Sequence, residues 1–323
     1  MRTVLKILKY VAFALGAVVL LAGGFLAYAS LKKPDVRPAS KAKVEATPAR
    51  IARGDYVFNH LAGCAGCHSE HDETLGWPVK KGTEGAGACL GERFGFAEPS
   101  CSANLTSDPK AGLGAWSDGE IIRAIREGVS RDGRLLSSAM PYATYRAMSD
   151  EDVQSLVAYL RTLPPNGAVR PAPPLHFPDS LMVKFSVQPL TAPVPSPDPT
   201  NVRAYGAYLT NLASCSSCHG EDFSGGAEFD SPWASAVSAN LTPDPDTGLR
   251  MEKAAFVARF RAFKGFHSDQ PPQDIYMPWL AFSGLSDQDL GTVYDYLKLQ
   301  KPVKNAIPPI SLHGGPPPAG AAH

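Results

Sequence analysis

Two short stretches of this chain carry residues whose types and spacing could do chemistry: Cys64-Ala-Gly-Cys67-His68 and Cys215-Ser-Ser-Cys218-His219. Each places two thiols three positions apart, which on a helical turn face the same way, with an imidazole next in line. A structural zinc site would need four convergent ligands, commonly from a second CxxC or an HxxxH, and neither stretch is followed by such a second half. Covalent haem attachment uses all three residues at once. The thiols of Cys64, Cys67, Cys215 and Cys218 add to the haem vinyl groups, and His68 and His219 ligate iron from below. Two covalently bound haem c groups are therefore expected.

The sixth iron ligand decides between carrier and catalyst, and it has to come from a distant loop because the residues beside the motif lie on the proximal face. Met140 and Met277 are the candidates. Each follows its own motif at a corresponding place, and each precedes a proline that biases it towards extended backbone. Met148, Met182 and Met251 lack a counterpart and are expected to be packing residues. His60, His71, His176, His267, His313 and His323 could each ligate in principle, but none recurs after both motifs. His267, ten positions before Met277, is the nearest rival. With imidazole and thioether on both irons no position is open to substrate, which suits outer-sphere electron transfer and leaves no catalytic residues to assign.

The elements that must position these groups occur twice, in one order. After the motifs, Ser102-ANLTSDPKAG-Leu113 answers Ser238-ANLTPDPDTG-Leu249, Met140-Pro-Tyr answers Met277-Pro-Trp, and a segment from Met148 answers one from Leu285. Val153, Leu156, Val157 and Leu160, like Leu290, Val293, Tyr294 and Leu297, follow the i, i+3, i+4, i+7 pattern of an amphipathic closing helix. Ser149 with Asp152, and Ser286 with Asp289, sit where a box-like N-cap belongs, with Asp in place of Glu. A further helix is predicted from Ser117, with Glu120 three residues on, and its counterpart over 252–263. No segment shows sustained strand alternation. Trp116, Trp233 and Trp279 are expected in the core or beside the cofactor. Asn104 and Asn240, with Thr106 and Thr242, suit either hydrogen bonds near haem carboxylates or a simple turn before a helix. The fold class is mostly α: an N-terminal transmembrane helix followed by two tandem copies of one small helical domain.

Residues 1–31 form the expected anchor. From Tyr10 to Ala29 the chain is uncharged and long enough as a helix to cross the hydrocarbon core. A cleaved export signal is the alternative, with Ala27, Tyr28 and Ala29 as an A-x-A-like site. Flanking charges do not decide its orientation, but haem attachment of this kind happens outside the bacterial cytoplasm, so the span is expected in the inner membrane with the haem domains periplasmic. Residues 32–48 read as a spacer, 49–166 as the first domain, 167–200 as a proline-rich connector, 201–303 as the second domain and 304–323 as a disordered tail. The middle of the connector, where Leu181, Val183, Phe185 and Val187 alternate, reads as extended chain against a domain surface. Cys89 and Cys101 lie where the path from His68 to Asn104 is fifteen residues longer than that from His219 to Asn240. Outside the cytoplasm this pair is expected to form a disulfide.

Lysine plus arginine equals aspartate plus glutamate, 31 each, so no basic field argues for nucleic acid. The ordered motifs, from CxxCH through NLT-x-DP and Met-Pro to the closing helix, resemble the cytochrome c domains of membrane-associated subunits that serve periplasmic alcohol, aldehyde or gluconate dehydrogenases. The resemblance covers both repeats. It implies class I cytochrome c folds that take electrons from a periplasmic dehydrogenase towards quinone or a terminal oxidase; a quinol-oxidising complex is the other expected donor, and a respiratory complex or oxidase the expected partner on the acceptor side. The chain departs from that family in having two haem motifs rather than three, and an N-terminal apolar segment. Dihaem redox enzymes such as thiosulfate dehydrogenases are similar in general layout, and they or a dihaem peroxidase form the alternative function.

Overall fold

The computed structural model describes residues 2–72, 78–90, 100–230, 234–265, 277–309 and 311–312. The apolar N-terminal segment forms one helix, α1 (Arg2–Leu31). Its stretch Lys6–Leu31 is long and apolar enough, by length and composition, to cross a membrane.

The first repeat opens with α2 (Pro48–Tyr56), capped by Thr47, and runs on through a π-helical turn, Val57–Leu61, to the motif helix α3 (Cys64–His68). A short hairpin, β1 (Cys89–Leu90) with β2 (Ser100–Cys101), precedes α4 (Asp118–Glu127), α5 (Tyr142–Tyr145) and the closing helix α6 (Asp150–Leu160). The connector carries α7 (Asp179–Ser186). The second repeat follows the same order: α8 (Val202–Leu212), motif helix α9 (Cys215–His219), β3 (Glu228–Asp230), β4 (Ala234–Val237), α10 (Lys253–Arg261), α11 (Trp279–Phe282) and closing helix α12 (Asp287–Lys298), with β5 (Ser311–Leu312) last.

Within each repeat the opening and closing helices cross, α2 on α6 and α8 on α12. A glycine sits at each crossing. A Cβ on Gly54 would lie 2.0 Å from the Ser155 carbonyl oxygen, and one on Gly206 would lie 2.3 Å from the Tyr296 Cβ. Leu61, Leu156, Leu209, Leu212, Leu290 and Leu297 are almost wholly buried in one apolar core that spans both repeats.

The caps follow the sequence pattern closely. Ser117 and Glu120 close a full capping box at α4. Ser149 and Ser286 each accept the third amide of their helix, as expected, but Asp152 and Asp289 do not reach back. Their shorter carboxylates are used elsewhere, as described below.

Two expectations about the path of the chain need correction. The middle of the connector is helical rather than extended. Pro178 precedes its first turn, residues 179–186 contain no proline, and Val183 and Val187, four apart, are the buried pair. The start of the predicted tail is placed: Asn305 donates its amide to Thr247 Oγ1 (3.0 Å) and Nδ2 to the Ser224 carbonyl (3.0 Å), and β5 pairs with β4. Backbone pairing of this kind needs no apolar side chains. Residues 313–323 lie outside the described residues. The spacer between anchor and first domain lies docked along α4. Arg37 meets the buried carboxylate of Glu127 at 2.6 Å, and Asp118 accepts the Val44 amide at 2.9 Å.

Candidate haem sites

Both motif helices are entered through a left-handed residue, Gly63 (φ 60°) in the first and Ser214 (φ 53°) in the second. This sharp turn starts a new helical segment at the first cysteine. Cys64, Cys67, Cys215 and Cys218 are all free thiols. Burial pushes the thiols of Cys64 and Cys215 up to about 12, so they stand as neutral thiols rather than metal-seeking thiolates.

The imidazoles are oriented alike. His68 Nδ1 lies 2.8 Å from the Ala103 carbonyl oxygen, and His219 Nδ1 lies 2.8 Å from that of Ala239. A carbonyl only accepts, so Nδ1 carries the proton in both rings and Nε2 keeps its lone pair. Burial holds both imidazoles below their ordinary pKa, opposed by that hydrogen bond. The neutral, Nε2-basic form is the one a metal requires.

This bond explains why Ser-Ala-Asn-Leu-Thr occurs twice. In each loop the alanine carbonyl orients the histidine and the asparagine braces the loop. Asn104 Oδ1 accepts from the Thr106 amide and hydroxyl, while its Nδ2 donates to the Asn166 and Ala168 carbonyls. Asn240 does the same through Thr242 and Val303. Their polar atoms are engaged within the protein, which favours the turn role over contact with haem carboxylates. Ser102 adds a bond from its hydroxyl to the Cys67 carbonyl (2.6 Å).

Met140 and Met277 sit in matching turns. Each is half-buried against the core that also receives Cys64 and Cys215. The following prolines have near-identical backbone (φ −79°, ψ 50° and φ −74°, ψ 61°) and lead into α5 and α11. Met148 is fully buried as packing, but Met182 and Met251 are exposed and are not. Trp116 and Trp279 pack against the core; Trp233 lies outside the described residues. Trp279 Nε1 is buried without a hydrogen-bond partner among the described residues.

Among the rival histidines, His60 Nδ1 bonds the Ala281 carbonyl (2.9 Å) and His71 Nε2 the Gly66 carbonyl (3.0 Å). His176 is exposed, and His267, His313 and His323 lie outside the described residues. No group of three or more His, Cys, Asp or Glu is arranged to hold a bare metal ion among the described residues. Cys89 and Cys101 are joined as a disulfide across the β1–β2 pair.

Sequence reasoning missed the contacts that join the repeats. Tyr56 donates to Asp289 (2.5 Å) and accepts the Ser286 amide (3.0 Å); Tyr208 donates to Asp152 (2.5 Å) and accepts the Ser149 amide (3.1 Å). His60 meets Ala281 of α11, and Asn211 Nδ2 reciprocates towards the Thr144 carbonyl of α5 (3.3 Å). Each repeat thus holds the cap and methionine turn of the other. One signal was available: ten positions separate Gly54 from Cys64 but nine separate Gly206 from Cys215. The π-helical turn absorbs the extra residue, and such turns concentrate at functional sites.

These donor sets fit a covalently held haem in each repeat: two free thiols, one imidazole with its Nε2 available, and, in the second, an orphaned indole N–H two residues from Met277. Two family models match the chain. One describes the cytochrome C oxidase, cbb3-type, subunit III, over residues 49–160, and the other cytochrome c, over residues 204–301. A nicotinate dehydrogenase subunit of Pseudomonas putida is 35% identical over 205 residues, covering 61% of this chain and 16% of that protein. The alcohol dehydrogenase (quinone) cytochrome c subunit of Gluconacetobacter polyoxogenes is 31% identical over 235 residues, covering 64% and 46%. A diheme cytochrome c-type protein of Cereibacter sphaeroides is 30% identical over 174 residues, covering 52% and 56%. The chain therefore spans only part of the length of these relatives. It belongs to the c-type cytochromes. It has two cytochrome c domains and carries two covalently bound haem c groups.

Proposed function

We propose that this protein is a membrane-anchored, periplasmic dihaem cytochrome that passes electrons from a dehydrogenase to a respiratory complex or terminal oxidase by outer-sphere transfer. Residues 1–31 are its retained anchor in the inner membrane, and 49–166 and 201–303 its two haem domains. Cys64 and Cys67 hold one haem and Cys215 and Cys218 the other; His68 with Met140, and His219 with Met277, are the axial pairs. Haem bound in this way supplies a one-electron Fe(III)/Fe(II) couple of raised potential.

The observation that carries this reading is the matching of the two sites. In both, a backbone carbonyl fixes the histidine tautomer and a Met-Pro turn of the same backbone shape offers a thioether. The dehydrogenase partner rests on relatives that are cytochrome subunits of alcohol, fructose and gluconate dehydrogenases.

The test is optical. The weak far-red band of methionine-bound ferric haem, quantified against total haem in the purified protein, should amount to two equivalents per chain. Met140→Ala and Met277→Ala should each remove one and let the reduced protein bind carbon monoxide at that iron. Ready carbon monoxide binding by the unmodified protein, or unaided turnover of thiosulfate or peroxide, would replace the carrier with the enzyme.

A further inference from the structure

We propose that α7, the short helix between the two haem domains, is a membrane-seating element whose Phe177–Met182 side rests in the headgroup layer of an anionic phospholipid bilayer beside the outer end of α1. This rests on the anchor reading above. Side chains along α1 are bare almost to its end, but its last turns touch α7. Ala29 is fully buried, Phe25 stacks on Phe185 with centroids 6.4 Å apart, and Tyr28 meets the same ring at 6.4 Å. Lys184 donates to the Ser30 carbonyl at 3.0 Å, and Lys32 Nζ lies 5.1 Å from the centre of the Phe185 ring.

These contacts set a depth. They fall between residues 25 and 32, and at helical rise that band is about 10 Å deep, spanning the exit of α1 from hydrocarbon into headgroups. α7 must lie at that level. Its Val183 and Val187 face the protein and are buried, whereas Phe177 (72% exposed) and Met182 (60% exposed) are bare on the side away from it. Bare large apolar groups at a headgroup boundary have an occupant to hand, the outer acyl segments of the lipid. The charges agree. Lys32 and Lys184 sit at the contact, Lys33 and a single carboxylate, Asp35, follow in the sequence, and Asp179 is turned onto Ser137 and Ser138. Lysines at this depth attract lipid phosphate.

The seat would orient the first haem domain. Tyr142, next but one after Met140, is hydrogen-bonded to Ser186 at the end of α7 (2.7 Å), and Val187 packs with Tyr142 and Val129 beneath Met140. α7 therefore turns the Met140 loop towards the membrane, while the docked spacer along α4 keeps that arrangement rigid.

The experiment uses the full-length, haem-loaded protein in phosphatidylethanolamine vesicles containing phosphatidylglycerol, with a nitroxide on one added cysteine at a time: Val18→Cys in mid-span, Met182→Cys on α7, and Lys110→Cys as the aqueous reference. Oxygen and a water-soluble nickel chelate serve as relaxants. The label at 18 should be open to oxygen and closed to the chelate. The label at 182 should show a several-fold loss of chelate access relative to that at 110, intermediate between the other two. A membrane-buried label at 18 with a label at 182 as wet as that at 110 overturns the seating of α7 and spares the anchor. A wet label at 18 overturns both.

Discussion

The two repeats fasten the same methionine turn in different ways. In the first, Tyr145 of α5 donates to the Ala62 carbonyl at 2.8 Å and so ties the methionine turn to the turn that leads into its own motif helix. In the second the equivalent ring is Phe282, buried and without a hydroxyl. There α11 is fastened instead through Arg261, which donates to the Ser283 carbonyl at 2.6 Å, and through His60, which comes from the other repeat. Gly284 makes room for that histidine, since a Cβ there would lie 2.1 Å from the imidazole. The first repeat also has a disulfide that the second lacks among the described residues. Duplication kept the haem-binding plan and redistributed its supports: each methionine turn takes one bond from the other repeat, through Asn211 in the first and His60 in the second, while the bond within its own repeat is made by a different residue.

What the repeats share should be the most costly to disturb. Gly54→Ala and Gly206→Ala push a methyl group into the closing helix, where the obstacles are a backbone carbonyl and a Cβ that cannot rotate away. We expect a loss of about 3 kcal/mol or more for each, larger for Gly54, read by thermal unfolding of the haem-loaded protein. A cost below about 1 kcal/mol at either would mean that the helices cross less tightly than described.

The disulfide is the next difference to test. Replacing Cys89 and Cys101 with serine removes a twelve-position closure from the first repeat alone and should cost about 3 kcal/mol. Haem content and both far-red bands should be retained, because the bridge lies outside both donor sets. Loss of one band on removing it would move the bridge into the first haem site.

How much of this is legible in the sequence follows from the range of each interaction. The motifs, the Met-Pro turns, the serine caps and the cysteine pair are local or repeated patterns, and the residues show them directly. The acceptors of the histidine protons are main-chain carbonyls of Ala103 and Ala239, which carry no residue signature even though their loop is repeated. The aspartates of the incomplete capping boxes bond tyrosines of the opposite repeat, a choice that local spacing does not encode. The connector reads as extended because its proline density is high and because Leu181, Val183, Phe185 and Val187 fit a period of two. Val183 and Val187 equally fit one helical turn, and the docking of Phe185 on α1 selects the helix.

The reciprocal tyrosines separate the repeats more finely. Asp152 retains Arg53 at 2.7 and 2.8 Å if Tyr208 is removed, whereas among the described residues Asp289 retains only the Tyr205 hydroxyl at 2.9 Å if Tyr56 is removed. Tyr56→Phe should therefore cost about 2 kcal/mol and Tyr208→Phe about 1 kcal/mol. Equal costs would erase the asymmetry. Burial raises the pKa of all three phenols, that of Tyr205 to about 12. Their folded-state values exceed the unfolded value, so their contribution is complete below pH ~10 and is lost as pH rises through the folded values. Phenolate absorbance should report that loss.

The smallest difference lies at the entrance to the motif helices. Gly63 adopts its left-handed conformation freely, but Ser214 carries a Cβ into the same region, at a cost of about 1 kcal/mol. Ser214→Gly relieves that strain and returns part of the gain as extra freedom of the unfolded chain, leaving about 0.5 kcal/mol of added stability. Gly63→Ser should go the other way by a similar amount. Both are measurable as opposite shifts in the denaturant midpoint with an unchanged slope. If Ser214→Gly destabilises instead, the serine side chain must be making a contact that outweighs its backbone strain, and the second motif would then be held by its own hydroxyl rather than merely tolerating it.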